Sequence, residues 1–290
     1  MNYKYYVIAS LFSAIAFAEP TNTTIDIGLI ADCQYADQAE KGQRLYRSCP
    51  QKLDNALNTL SKQQVDFVVH LGDYIDRDWQ SFKPLDDVVN KHPLKIQHVL
   101  GNHEFWVSDD EKLKVPQHLG LSTRYSSQVI GDWRFIYLDG NDVSLYAWPK
   151  NSPQYLRSSK LYQAVFKDKK DWNGGIGKQQ LNWLTSQLKD AKTANQKVAL
   201  FCHFPIYPTN AHNLWNAEQV RLLLSQYDNV KVWFNGHQHN GDYAQKDGIH
   251  YLTLHAMLDT QNTSFARVLF KKDVIEIFGY GRQPSYQLGF

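Results

Sequence analysis

The stretch Leu94-Lys95-Ile96-Gln97-His98-Val99-Leu100-Gly101-Asn102-His103-Glu104 runs an apolar segment into a glycine and then into an amide, an imidazole and a carboxylate. Leu94–Leu100 reads as a short strand stopped by Gly101. The same grammar recurs on both sides. Ile25–Ala31 ends at Asp32-Cys33-Gln34, and Val65–Leu71 ends at Gly72-Asp73. Further on, Val198–Cys202 ends at His203 and Val230–Phe234 ends at Gly236-His237-Gln238-His239. Between the first two strands, Leu53, Ala56, Leu57 and Leu60 give Pro50–Gln63 the spacing of a helix. This is βαβ rhythm with polar chemistry at each strand end. Open α/β sheets bind ligands beyond the carboxyl ends of their strands.

After Arg124 the pattern turns to hairpins. Tyr125–Ile130 and Trp133–Leu138 flank Gly131-Asp132, and Tyr243–Lys246 and Ile249–Leu254 flank Asp247-Gly248. Ala266–Phe270 and Val274–Phe278 flank a short turn over 271–273. Lys178–Asp190 has helical spacing through Leu181, Trp183, Leu184 and Leu188. The reading is one α/β domain over 19–290, with two packed sheets and helices outside. Residues 141–177 stand apart: long, aromatic and only weakly helical. Trp148, Tyr155, Tyr162 and Trp172 argue against disorder there. A connection of this length is either a cap over the strand ends or a packed surface excursion.

The formal charge of +2 leaves no clustered positive surface for a nucleic-acid backbone. Residues 1–18 read as a secretory signal: a positive start at Lys4, an apolar run from Val7, and small residues at Ala16 and Ala18. The run is too short to span a bilayer. A mature chain starting near Glu19, secreted or periplasmic, is expected, with no membrane segment. The three cysteines, Cys33, Cys49 and Cys202, cannot all pair in such an oxidising space. Buried, packed thiols are the reading for all three. A Cys33–Cys49 disulfide stays open.

The strand-end residues have the chemistry of metal ligands. Asp32 and Asp73 are hard anionic donors, and Asp73 can bridge two cations. Asn102 offers an amide oxygen, and His203, His237 and His239 offer imidazole nitrogens suited to first-row metals. Such a set can hold two divalent ions, a known arrangement for hydrolysing phosphate esters.

The series D-x-Q, G-D, G-N-H-E, H-x-P and G-H-x-H resembles the calcineurin-like metallophosphoesterases from about Ile25 to Tyr280. Within them, the phrases Ile30–Asp37, Gly101–Phe105, Gly174–Leu181 and Gly236–Gly241 are most similar to the manganese-dependent ADP-ribose/CDP-alcohol diphosphatases. Arg44-Leu45-Tyr46-Arg47 also fits that group. Most of the superfamily has D-x-H at the first motif, where this chain has Gln34.

The resemblance implies a four-layer α/β/β/α metallophosphoesterase sandwich, two mixed sheets flanked by helices. It implies that Asp32, Gln34, Asp73 and His239 surround a first metal, Gln34 directly or through a water. Asp73, Asn102, His203 and His237 would hold a second. Metal-activated water would attack phosphorus, and His103, outside the metal shell, would serve the leaving oxygen. Without an imidazole at position 34 the first site has more oxygen character. That favours Mn²⁺ or Mg²⁺ over Zn²⁺, with Fe also compatible. Purple acid phosphatases carry a Tyr three residues after the bridging Asp, where this chain has Asp76, which argues against a tyrosinate site.

The expected substrate is a small phosphoanhydride, ADP-ribose or a CDP-alcohol, with Arg44 and Arg47 gripping its second phosphate. The alternative for these arginines is packing and surface ion pairing. The competing functions are a broad-specificity phosphodiesterase or phosphomonoesterase and a non-catalytic scaffold. The complete donor set argues against the scaffold.

Overall fold

The computed structural model describes Met1 and residues 24–290. The signal segment expected over 1–18 therefore lies outside the described residues, Met1 apart. Among the described residues, twelve strands form two six-stranded sheets. The first has the order β12-β11-β10-β1-β2-β3. Here β1 is Ile25–Ile30, β2 Phe67–His70, β3 Ile96–His98, β10 Ser264–Phe270, β11 Val274–Gly281 and β12 Tyr286–Gly289. β1, β2 and β3 run parallel, and β10 joins β1 antiparallel. The second has the order β4-β5-β6-β7-β9-β8. Here β4 is Ser126–Ile130, β5 Trp133–Tyr137, β6 Lys197–Phe201, β7 Val230–Asn235, β8 Asn240–Lys246 and β9 Ile249–His255. β5, β6, β7 and β9 are parallel, and β4 and β8 close the edges antiparallel.

Period-two alternation explains the layers. Ile25, Ile27 and Leu29 of β1 meet Ala199 and Phe201 of β6 and Val232 and Phe234 of β7 in the core between the sheets. The alternate residues face helices. Ile30 and Val68 pack under α1 (Cys49–Lys62) and α2 (Phe82–Val89). Val198, Leu200 and Trp233 pack under α5 (Lys178–Thr193) and α6 (Ala217–Leu224). This is the four-layer sandwich of two mixed sheets expected from the sequence. All three hairpins form as read, and in one of them Asp247 and Gly248 each adopt positive φ (54° and 77°), as a type I′ turn demands.

Elements that escaped the sequence reading include α2, α6 and β12. The first two are eight-residue helices, too short for strong periodicity. The four-residue β12 is held by pairing with β11. A one-turn helix, α3, covers Val115–His118.

The 141–177 excursion contains α4 (Pro153–Leu161) and a π-helical turn over Tyr162–Phe166. Its base is pinned where Asn141 Nδ2 donates to the carbonyls of Leu100 and Gly101 (2.9 and 3.2 Å). Tyr162 packs on Trp215, and Trp148 lies against Arg124. No described helix is long and apolar enough to cross a membrane.

The cysteine expectation needs correction at two of its three positions. Cys33 and Cys49 are disulfide-bonded, Cα atoms 5.5 Å apart, because the turn after β1 brings Cys33 against the start of α1. Cys202 is the buried thiol foreseen, pushed up to about 12 by burial in the outer core.

Candidate metal centre

Five parallel strands, β1, β2, β3, β6 and β7, deliver their carboxyl ends to one edge of the sandwich. The backbone there is strained. Asp32, Gln34, Asp73 and His237 have φ of 53°, 46°, 57° and 68°. Left-handed backbone at non-glycine residues clusters at functional sites, held by surrounding contacts. Those contacts are visible. Asp32 N donates to Gly72 O (3.1 Å) and Gln34 N to Asp73 O (2.8 Å). His237 N donates to the Asp32 carboxylate (3.1 Å to each oxygen). His103 N donates to Asp73 Oδ1 (2.9 Å). Gly72 is obligatory: its φ is +93°, and a Cβ would come within 2.7 Å of Gly101 N and His203 Nδ1.

The side chains converge. His203 Nε2 lies 3.1 Å from Asn102 Oδ1, 3.1 Å from His237 Nδ1 and 3.2 Å from Asp73 Oδ2. Gln34 Nε2 lies 2.7 Å from Asp73 Oδ2 and 3.2 Å from His239 Nε2. Asp73 thus stands between two groups of donors. One comprises Asn102, His203 and His237. The other comprises Gln34 and His239, with Asp32 adjoining.

The outer partners of the three histidines fix their tautomers. His203 Nδ1 faces the Leu71 carbonyl at 2.8 Å, which can only accept. His237 Nε2 faces Asn173 Oδ1 at 2.9 Å, and Asn173 is oriented by donating Nδ2 to Ala211 O (2.8 Å). His239 Nδ1 faces both oxygens of Asp259 at 3.2 Å. Each outer nitrogen therefore carries the proton. The lone pairs of His203 Nε2, His237 Nδ1 and His239 Nε2 point inward, as in metal sites whose histidines are held by carboxylates or carbonyls.

Electrostatics agrees with a cation-seeking site. Burial works against its charge, yet His203, His103 and His237 hold the Asp73 carboxyl well below the usual carboxylate range. Burial pushes Asp32 up to about 6 against the pull of His203 and His239. His203 loses to burial but gains more from Asp73, and rises to about 9. The excess of inward lone pairs draws a proton to its centre, and a divalent ion would meet the same demand better. Asp73, His203 and His237 bring their donor atoms within 4.8 Å of one another. Gln34 Oε1 is buried with no hydrogen-bond partner among the described residues. Turning the amide over would aim that oxygen inward, adding an oxygen donor beside His239 to a donor set that fits a metal ion.

His103 lies beside this cluster. Its Nδ1 is 2.7 Å from Asp76 Oδ1, leaving Nε2 toward the cavity and 3.9 Å from Asp73 Oδ2. Burial opposes its charge, but Asp73 and Asp76 raise it above the ordinary imidazole value. Asp76 is itself held by Gln38 and Arg77. Glu104 serves the loop: it accepts from Tyr74 N (2.8 Å), and burial beside Asp73 pushes it up to about 8.

Two adjoining cavities open on the cluster. One, of about 240 Å³, is lined by His103, Trp106, Trp172 and Arg44 besides the candidate ligands. The other, of about 310 Å³, adds Lys41 and Gln43 and shares Arg44, His212 and His239. Arg44 lines both cavities. Arg47 lines neither: the turn over Tyr46–Ser48 carries it outward, 60% exposed, to pair with Asp37 at 2.6 Å. From the 141–177 excursion, only Trp172 and Asn173 reach the centre.

Sequence reasoning missed Asp259, Asn173, Trp106, His212 and Lys41, and it noted Asp76 only for not being tyrosine. Trp106, two residues beyond Glu104, had a local signal. Asp259 had none, lying in a turn after β9 that only the sheet topology brings to His239.

A family model described as calcineurin-like phosphoesterase matches residues 25–241. The manganese-dependent ADP-ribose/CDP-alcohol diphosphatase of Arabidopsis thaliana is 30% identical, over 89% of this chain and 94% of its own length. The protein of the same name from Homo sapiens is 26% identical, over 93% and 94% respectively. Among solved structures, a dimetal phosphatase from Danio rerio superposes with a TM-score of 0.82 at 25% identity, covering 92% of this chain and 99% of that one.

Proposed function

The chain belongs to the calcineurin-like phosphoesterase family, a metal-dependent phosphohydrolase by that membership, and on this premise we propose that it is a secreted two-metal hydrolase of nucleoside-diphosphate-linked compounds. The bond cleaved is the phosphoanhydride of ADP-ribose or a CDP-alcohol. The observation that carries the two-ion reading is Asp73, whose carboxylate faces Gln34 at 2.7 Å on one side and His203 at 3.2 Å on the other. The names of the relatives support the substrate class and manganese. The amide at position 34 also favours an oxygen-loving ion.

Asp32, Gln34, Asp73 and His239 would hold one ion, and Asp73, Asn102, His203 and His237 the other. When bound, such ions lower the pKa of attacking water and neutralise phosphate charge. The chain's own residues do the rest. His103, charged through Asp76 and Asp73, presents Nε2 to the cavity and gives its proton to the departing oxygen. Arg44, at the junction of the two cavities, grips the second phosphate with its planar fork. Trp106, 54% exposed and parallel to His103 (centroids 5.7 Å, 10° between planes), offers a face for a ring. Trp172 lines the same cavity beside His237, so the end of the 141–177 excursion acts as part of a cap.

Export is supported by the Cys33–Cys49 disulfide, which persists in oxidising compartments. The test is a comparison of kcat/KM for ADP-ribose, a CDP-alcohol and p-nitrophenyl phosphate with the Mn²⁺-loaded enzyme. The anhydrides should lead and release a nucleoside monophosphate. Preference for the monoester would move the function to a general phosphoesterase.

A further inference from the structure

The start of α1 supports the centre from behind at two points. Cys49, the first residue of the helix, is bonded to Cys33, which stands between Asp32 and Gln34. Both of those neighbours hold left-handed backbone, which surrounding structure must enforce. Three residues into the helix, Lys52 is only 5% exposed. Its ammonium donates to the carbonyls of Met257 (2.9 Å), Leu258 (3.2 Å) and Thr260 (2.6 Å). These carbonyls bracket Asp259, the buried carboxylate that orients His239. The two anchored segments are also tied together: Met257 N donates to Ala31 O (3.0 Å) and Leu258 N to Asp32 O (2.9 Å). A buried cation satisfied by three carbonyls of one turn holds that turn in a single shape.

His203 and His237 take their orientation elsewhere, from Leu71 and Asn173. The ties from α1 thus fall on one half of the donor set. We propose that Cys49 and Lys52 are positioning residues for the Asp32–Gln34–His239 half of the centre and set the affinity for the ion held there, leaving the other ion's site unaffected. This rests on the two-ion reading above.

The experiment titrates metal-free, full-length mature protein with Mn²⁺ by calorimetry and follows the Mn²⁺ resonance spectrum. Wild type, Cys49→Ala, Lys52→Met, Lys52→Arg and Asp259→Asn are compared, with Tm measured for each. Wild type should take up two equivalents and give a spin-coupled spectrum. Cys49→Ala, Lys52→Met and Asp259→Asn should keep one equivalent at wild-type affinity and weaken the other about 10–100-fold, the usual range for groups that orient ligands. At limiting Mn²⁺ their spectra should be those of a single ion, and Lys52→Arg should recover most of the second equivalent. Cys49→Ala cuts the other tie from the helix, so it decides the matter if Lys52→Met does not fold, and Asp259→Asn shows what losing the orientation of His239 alone does. Two unchanged equivalents, or equal weakening of both in step with a fall in Tm, would overturn the proposal. A wild type that binds one equivalent would instead overturn the two-ion reading itself.

Discussion

Asp76 Oδ1 lies 2.7 Å from Nδ1 of His103 and is buried against it, so the carboxylate and the imidazole act as one unit. The contact fixes which nitrogen of His103 faces the cavity and favours its charged form. His103 is raised by Asp73 and Asp76 against the cost of burial. A raised pKa keeps the acid protonated to higher pH. Asp76→Asn removes one of those carboxylates, so the alkaline limb of the kcat profile should move to lower pH, with metal content unchanged. A profile that keeps its alkaline limb would disconnect Asp76 from the acid.

His103→Ala should leave Mn²⁺ binding near normal and slow the hydrolysis of ADP-ribose by about 10²–10⁴-fold. Aryl esters with good leaving groups need no proton and should lose much less. Equal losses on good and poor leaving groups, read from a series of substituted phenyl esters, would contradict a proton-donor role.

Asp73→Ala should be the most damaging single change at the centre. It deletes a carboxylate that faces both donor groups and leaves their lone pairs without that shared anion. Metal analysis after gel filtration should find both ions depleted, whereas Asn102→Ala should deplete one.

Gln34→His should be tolerated by the backbone, because histidine is among the residues enriched at positive φ. The new nitrogen donor should strengthen binding beside His239 and shift preference from Mn²⁺ toward Zn²⁺. Competition titration with the two metals reads this directly; an unchanged ranking would place residue 34 outside the ligand shell.

The two arginines should separate cleanly. Arg44→Ala should raise KM for ADP-ribose far more than for a small aryl ester, since it stands where the cavities join. Arg47→Ala should leave both constants alone and change stability by no more than about 1 kcal/mol, the upper end for an exposed ion pair. Equal effects from the two would mean that the loop, and not the guanidinium of Arg44, matters to the substrate.

The sandwich was legible because its signals are local. The apolar runs of β1, β2, β6 and β7 each stop at a glycine or a polar residue. Asp247-Gly248 announces its own turn. The candidate ligands were legible for the same reason: Asp32, Gln34, Asp73, Asn102, His203, His237 and His239 sit where strands end, and parallel strands end on one side. The helix over 217–224 and the strand over 286–289 were not, since each takes its stability from a neighbour that a window of sequence does not contain.

The sequence by itself determined the fold class and named a candidate donor set with the chemistry such a set can support. Tertiary structure alone decided how those donors are held. Asp259, 20 residues from His239, and Asn173, 64 residues from His237, orient their imidazoles only because the strands bring them there. The same holds for Arg44 facing inward and Arg47 outward, and for Cys33 pairing with Cys49 instead of packing as a free thiol. The physical reason is one of range. Strand and turn preferences are properties of a few adjacent residues. The direction of a side chain and the partner of a buried proton depend on groups that meet only after the chain has closed.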